Sequence, residues 1–138
     1  MGCRGGASLE ALAREFPGAR VVGVDVVPEF VEVALDKGLD ARVEDAHKLP
    51  FADGEFDWVV CNGTFEHFYN VGKAARELGR VARCGVYVTC DVREAPLGSD
   101  YAHASDVGAW REVMKNTGME VVSEVVKHPG VEFVLVRR

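Results

Sequence analysis

The sequence predicts an α/β fold, a mostly parallel sheet with helices on both faces and a C-terminal antiparallel hairpin. Three observations predict it. Short valine-rich runs alternate with segments of helical spacing. Those runs end in polar or acidic residues, as in "VVGVD" and "FDWVVCN". The C-terminal stretch "MEVVSEVVKHPGVEFVLVRR" holds two strand-like runs around a His-Pro-Gly turn, so its last strand runs antiparallel.

The elements follow in order. Leu9, Leu12, Ala13 and Phe16 recur at helical spacing, with Ser8 as the expected cap and Pro17-Gly18 as the stop. "ARVVGVDVV" reads as a buried strand. Pro28 suits the first turn of a helix carrying Phe30, Val31, Ala34 and Leu35, which Gly38 ends. "LDARVED" is a second short strand, and "AHKLPFADGE" is a loop with Asp53-Gly54 at a turn. "FDWVVCN" is a third strand. Val71 to Arg83 shows helical spacing at Ala74, Ala75, Leu78, Val81 and Ala82. "GVYVTCDV" is a fourth strand, and "REAPLGSDYAHAS" is a loop without periodicity. Ser105 and Asp106 cap a helix holding Val107, Trp110, Val113 and Met114, and Gly118 terminates it. Arg137 and Arg138 read as a solvated tail. The whole, residues 1–138, reads as a single domain.

Composition bounds the function. The 138 residues suffice for one domain, and a net charge of -6 disfavours nucleic acid as the main partner. No apolar run approaches the ~20 residues that span a bilayer. The N-terminus shows no signal-peptide stretch, so a cytoplasmic location is expected. Cys3, Cys61, Cys84 and Cys90 form no C-x-x-C pair, and three of them sit in or beside apolar runs. They read as small core residues rather than as a metal site or a disulfide framework.

Ligands of such sheets bind at the carboxyl ends of the strands. Before the first helix stand Gly2, Cys3, Arg4, Gly5 and Gly6. Asp25 ends "VVGVD"; Glu44, Asp45 and Ala46 end "ARVEDA"; Asn62 and Gly63 end "FDWVVCNG". Glycines admit close backbone approach at a helix N-terminus. Asp25 follows Gly6 at the distance suited to a carboxylate that accepts both ribose hydroxyls. An acid at a strand end also caps the next helix, and Pro28 follows closely. Asp45 suits an exocyclic amine, the backbone at Ala46 suits a ring, and Asn62 suits an amino-acid group. His47 is expected beside the base or in solvent. Together these suit one elongated nucleoside-like ligand.

On the residues "GCRGG…VVGVDVVPEF…VEDAHKLPFADGEFDWVVCNGTFEHF", the chain resembles the class I S-adenosylmethionine-dependent methyltransferases, in particular the type 11 group. The resemblance implies a Rossmann-like fold and S-adenosylmethionine as cofactor. It matches Gly2 and Gly6 to the ends of the glycine turn, and Asp25 to the ribose-binding acid with Val26 beside the adenine. It matches Asp45 and Ala46 to the adenine-contacting pair, and places Asn62 near the methionine end. Arg4 stands where the family has its middle glycine. Two readings of Arg4 stand side by side: a contact to the cofactor carboxylate, or a solvated residue in a degenerate turn.

The family's acid before the first glycine, its first strand and the preceding helix have no counterpart in this sequence. That strand lies mid-sheet in the family, between "ARVVGVD" and "FDWVVCN". Each buried unpaired backbone group costs about 1–3 kcal/mol, against a total stability of about 5–15 kcal/mol. The preferred expectation is an N-terminally truncated fragment or a wrongly placed start. A closed-up sheet and a strand supplied by another chain, as in a homo-oligomer, are the alternatives.

Methyl transfer from a sulfonium needs mainly alignment. Where the acceptor starts protonated, His67 and Glu66 are the nearest bases, with Tyr101 and His103 in the following loop. Structural readings accompany all of them: helix packing for His67, an ordinary surface loop for Tyr101 and His103. The implied activity is methyl transfer to a small-molecule or lipid-like acceptor. The alternative is a degenerate cofactor-binding domain that acts as a partner subunit without catalysis. A nicotinamide dehydrogenase fits less well, because "GCRGGA" lacks the G-x-G-x-x-G spacing.

Overall fold

The computed structural model describes residues 1–92 and 106–138. The chain divides into two compact units, Met1–Leu49 and Pro50–Arg138.

The first unit runs α1 (Ala7–Glu15), β1 (Gly23–Asp25), α2 (Pro28–Asp36) and β2 (Ala41–Val43). β1 and β2 pair in parallel, with Gly23 opposite Ala41 and Asp25 opposite Val43. Only three residues of each expected strand join the ladder, so both strands are shorter than their apolar runs. Leu9 of α1, Val31 and Ala34 of α2, Ala41 of β2 and Cys3 form the core of this unit. Ser8 does not cap α1. The cap is Gly6, at φ 86°, and it makes no side-chain bond. A β-carbon at Gly6 would stand 2.5 Å from Leu39 Cδ1, so glycine lets the turn close against the segment leading into β2. Pro28 opens α2 as expected.

The second unit runs β3 (Phe56–Cys61), a 3-10 turn (Phe65–His67), α3 (Val71–Val81) and β4 (Ala82–Asp91). After the undescribed stretch come α4 (Val107–Met114), a 3-10 turn (Lys115–Thr117), β5 (Glu120–Lys127) and β6 (Gly130–Val136). The sheet order is β3-β4-β6-β5. β3 and β4 are parallel, while β6 is antiparallel to both β4 and β5. β4 begins directly at the end of α3, earlier than its apolar run suggests. In the β4–β6 ladder Val86 faces Leu135 and Val88 faces Phe133, and all four are fully buried. α3 buries Ala74, Ala75, Leu78 and Val81, the face its spacing predicts. Asn70 caps α3 by accepting from the Lys73 N–H, and Asp106 caps α4 by accepting from the Ala109 N–H at 2.8 Å.

β1 and β2 form one sheet, and β3, β4, β6 and β5 form another. One expectation needs correction. Arg137 is no solvated tail: its Nη2 donates to the carbonyls of Gly79 and Ala82, at 2.5 and 3.1 Å. A cation there satisfies carbonyls that the end of α3 leaves without intrahelical partners. Among the described residues, no helix is long and apolar enough to cross a membrane.

Candidate functional site

In the first unit the glycine turn, the end of β1 and the end of β2 meet through named bonds. The Cys3 N–H donates to the Val24 carbonyl at 3.0 Å, which seats the turn against β1. The Gly6 N–H closes the turn on the Cys3 carbonyl at 2.9 Å. Lys37, after α2, donates from Nζ to the Gly5 carbonyl at 2.8 Å. Arg4 takes a left-handed conformation, φ 44°, and it is the described non-glycine residue that does so.

Asp25 is the hub. It is 9% exposed, and each carboxylate oxygen accepts a backbone bond. Oδ2 accepts from the Arg4 N–H at 2.9 Å, and Oδ1 from the Val27 N–H at 3.1 Å, at the cap position of α2. Val27 is the cap residue of α2 and no side chain caps the helix, so Asp25 fixes the turn into α2 rather than capping it, and the same carboxylate also orders the glycine turn. A carboxylate offers about four lone-pair sites, so these two bonds leave capacity for further donors. The neighbouring Val26 is 66% exposed, an apolar surface beside the acid.

The last bond of the β1–β2 pair runs from the Glu44 N–H to the Asp25 carbonyl, at 2.9 Å. Asp45 follows at once, with its carboxylate on the edge of the loop and Ala46 buried. His47 is the residue the sequence placed least well. It is 4% exposed, and its Nδ1 lies 2.5 Å from Asp45 Oδ1, which also accepts the His47 N–H at 2.9 Å. Nothing in the local pattern of "EDAHKLPF" marks a histidine there as buried.

Cys3 sits inside this turn as a buried thiol. Burial and the Asp25 carboxylate push its pKa up, which is the setting of a packing residue rather than a nucleophile.

The second unit carries its own polar cluster at the carboxyl ends of β3 and β4. The Thr89 hydroxyl donates to Asn62 Oδ1 at 2.8 Å, and the Gly63 N–H donates to Thr89 Oγ1 at 2.8 Å. Thr89 is the partner that sequence reasoning missed; its place in an apolar strand gave no signal. A pocket of about 670 Å³ is lined here by Asn62, Gly63, Glu66, His67, Thr89 and Asp91, among others. Phe65 is fully buried, with its ring packed edge-on to Phe68 and Trp110. That anchor sets the short turn so that His67 is half exposed while Glu66 is largely buried. His67 Nε2 lies 3.9 Å from Glu66 Oε1, and Glu66 Oε2 is buried without a hydrogen-bond partner among the described residues. Burial pushes the nearby Cys61 thiol up to about 12, and Cys90 upward as well. Tyr101 and His103 lie outside the described residues.

A family model described as a methyltransferase domain matches residues 1–90 of the 138. The chain belongs to the methyltransferase domain family.

Its relatives place this methyltransferase domain further. A demethylmenaquinone methyltransferase of Thermus thermophilus is 41% identical over 95 residues, which cover 64% of this chain and 43% of that protein. A demethylmenaquinone methyltransferase of a Roseiflexus species is 37% identical over 86 residues, covering 59% of this chain and 36% of that one. The chain therefore spans less than half the length of these curated relatives. Among solved structures, a SAM-dependent methyltransferase from Aquifex aeolicus has a TM-score of 0.78 at 21% identity, covering 98% of this chain and 78% of that one. That likeness shows the Rossmann-like methyltransferase fold.

Proposed function

We propose that residues 1–138 form one S-adenosylmethionine-binding domain that transfers a methyl group to a small-molecule or lipid-like acceptor. One observation carries the reading most. Asp25 stands at the end of β1 with its carboxylate bonded to the glycine turn on one side and to the start of α2 on the other. That is a prepared acceptor for ribose hydroxyls, held in place by backbone donors. The donor set fits the cofactor. Asp25 takes the ribose, exposed Val26 offers an apolar face to the adenine, and Asp45 with Ala46 takes the base's edge. Gly2, Arg4 and Gly6 flank the cofactor's amino-acid end in the glycine turn, and the family resemblance assigns Asn62, in the second unit, to that end.

When bound, the cofactor supplies a methyl group already activated on a sulfonium, so the protein's part is mainly to bind and orient. A protonated acceptor would also need a base. Glu66 and His67 suit that role, because both line the pocket of the second unit. The Glu66 oxygen that is buried without a partner among the described residues favours a ligand donor, since leaving such an acceptor unmade costs about 1–3 kcal/mol. Two relatives named for demethylmenaquinone support a small organic acceptor. The domain works in the cytoplasm in this reading, with pairing to a second copy open to it.

A second reading has its own observation. Arg4 holds a left-handed backbone at the glycine turn's middle position, which suits a cofactor-binding domain that has lost catalysis and serves a partner subunit.

Calorimetric titration with S-adenosylhomocysteine tests the proposal. The wild-type chain binds, and Asp25→Asn, still folded by circular dichroism, loses at least about tenfold in affinity, because one acceptor oxygen becomes a donor. A folded wild-type chain that does not bind would sink the reading.

A further inference from the structure

We propose that His47 is a positioning residue, which holds the Asp45 carboxylate so that it reads the exocyclic amine of the cofactor's adenine. The inference rests on the reading of Asp45 as the adenine-contacting acid. Its own basis is the geometry of the loop that leaves β2.

Asp45 Oδ1 receives two bonds from one residue. The His47 N–H reaches it at 2.9 Å, and the His47 ring nitrogen Nδ1 at 2.5 Å. The backbone bond alone makes the turn, in which an aspartate side chain accepts from the residue two places on. The Lys48 N–H closes the same turn on the Asp45 carbonyl at 3.0 Å. The ring bond is therefore not needed to form the loop. It constrains the carboxylate itself.

Burial separates the two partners. The His47 side chain is 4% exposed and that of Asp45 is 46% exposed. An exposed aspartate ordinarily samples several rotamers, and an ion pair between two exposed groups does little to stop it. Here the imidazole is packed and cannot follow, so it fixes one carboxylate oxygen while much of the side chain still faces solvent. Next to it, the Glu44 N–H bonds the Asp25 carbonyl at 2.9 Å. The two carboxylates thus leave adjacent ends of one parallel pair, as ribose and base of one nucleoside require.

A fixed carboxylate accepts from an amine and repels a carbonyl oxygen at the same place. The chain should therefore favour S-adenosylhomocysteine over S-inosylhomocysteine, which carries oxygen where adenine carries its amine. Sites built to accept a ligand N–H discriminate strongly against analogues without it.

The test measures both ligands calorimetrically against wild type, Asp45→Ala, His47→Phe and His47→Gln, with thermal melts alongside. Wild type prefers the adenosyl ligand by roughly tenfold or more. Asp45→Ala abolishes the preference. His47→Phe cuts it to about threefold or less while leaving the inosyl ligand's affinity unchanged, and His47→Gln, which keeps a side-chain donor, restores part of it. Loss of the preference in Asp45→Ala but not in His47→Phe overturns the role of His47 and spares that of Asp45. An undiminished preference in Asp45→Ala overturns the reading of Asp45, and a wild type that binds neither ligand overturns the cofactor reading; His47 falls with both. Equal weakening of both ligands in the histidine variants makes His47 merely structural and also overturns the proposal. Should His47→Phe fail to fold, His47→Leu takes its place: a preference cut to about threefold or less supports the proposal, and an unchanged preference or uniform weakening ends it.

Discussion

At the residue scale, Arg4 carries the strained backbone of the glycine turn. Its N–H is held by Asp25 Oδ2, and its backbone sits at φ 44°. An L-residue in that region is strained by about 1–2 kcal/mol. Glycine removes the strain but loses more backbone freedom on folding, by about 0.5–1 kcal/mol. Arg4→Gly should therefore stabilise the fold by about 0.5–1 kcal/mol, read as a higher denaturation midpoint with unchanged slope. The same variant separates the two readings of Arg4. A drop in affinity for S-adenosylhomocysteine assigns its guanidinium to the cofactor's carboxylate, and unchanged affinity leaves it solvated.

Between elements, α3 comes close to the turn at Lys115–Thr117. A β-carbon on Gly79 would stand 1.9 Å from the Thr117 carbonyl oxygen. Thr117 cannot give way easily, because it is buried and its hydroxyl both donates to the Met114 carbonyl and accepts from the Met119 N–H. The Gly79 carbonyl is itself bonded by Arg137. Backbone faces backbone here, so no rotamer change relieves the clash. Gly79→Ala should destabilise the chain by about 3 kcal/mol, the upper end for overpacking, in chemical denaturation. A variant as stable as wild type would show that α3 can shift. Alanine's better helix propensity, ~1 kcal/mol over glycine, is too small to compensate.

Across the whole molecule, cooperativity is unevenly distributed between the two units. β4 is paired on both sides over much of its length, and its Val86 and Val88 with their partners Leu135 and Phe133 are fully buried. β1 and β2 share only three register positions, and isolated two-stranded pairs are marginal in water. Hydrogen exchange should therefore be slowest at Val86, Val88, Phe133 and Leu135. The amides of Gly23–Asp25 and Ala41–Val43 should exchange roughly tenfold faster or more, by local opening. Equal protection in both sheets would show that the first unit opens only with global unfolding. A cofactor bridging the turn, Asp25 and Asp45 would slow exchange in the first unit most, since ligands stabilise what they bind.

The sequence by itself determined the order of strands and helices, the buried face of α3, the hairpin, and the acids at the ends of β1 and β2. These are local properties: periodicity, turn chemistry and the position of a polar residue after an apolar run. Their legibility needs no knowledge of what lies across the fold. Only the tertiary structure decided the rest. It buried His47 on Asp45, turned Asp25 into a clasp between the turn and α2, and brought Arg137 to the end of α3. It also divided the strands between two sheets and shortened β1 and β2 to three residues each. Those outcomes depend on partners tens of residues away or on packing around a loop, and short-range pattern carries neither. A histidine in a polar loop and an arginine at a chain end look solvated until the fold supplies the carboxylate or carbonyl that holds them.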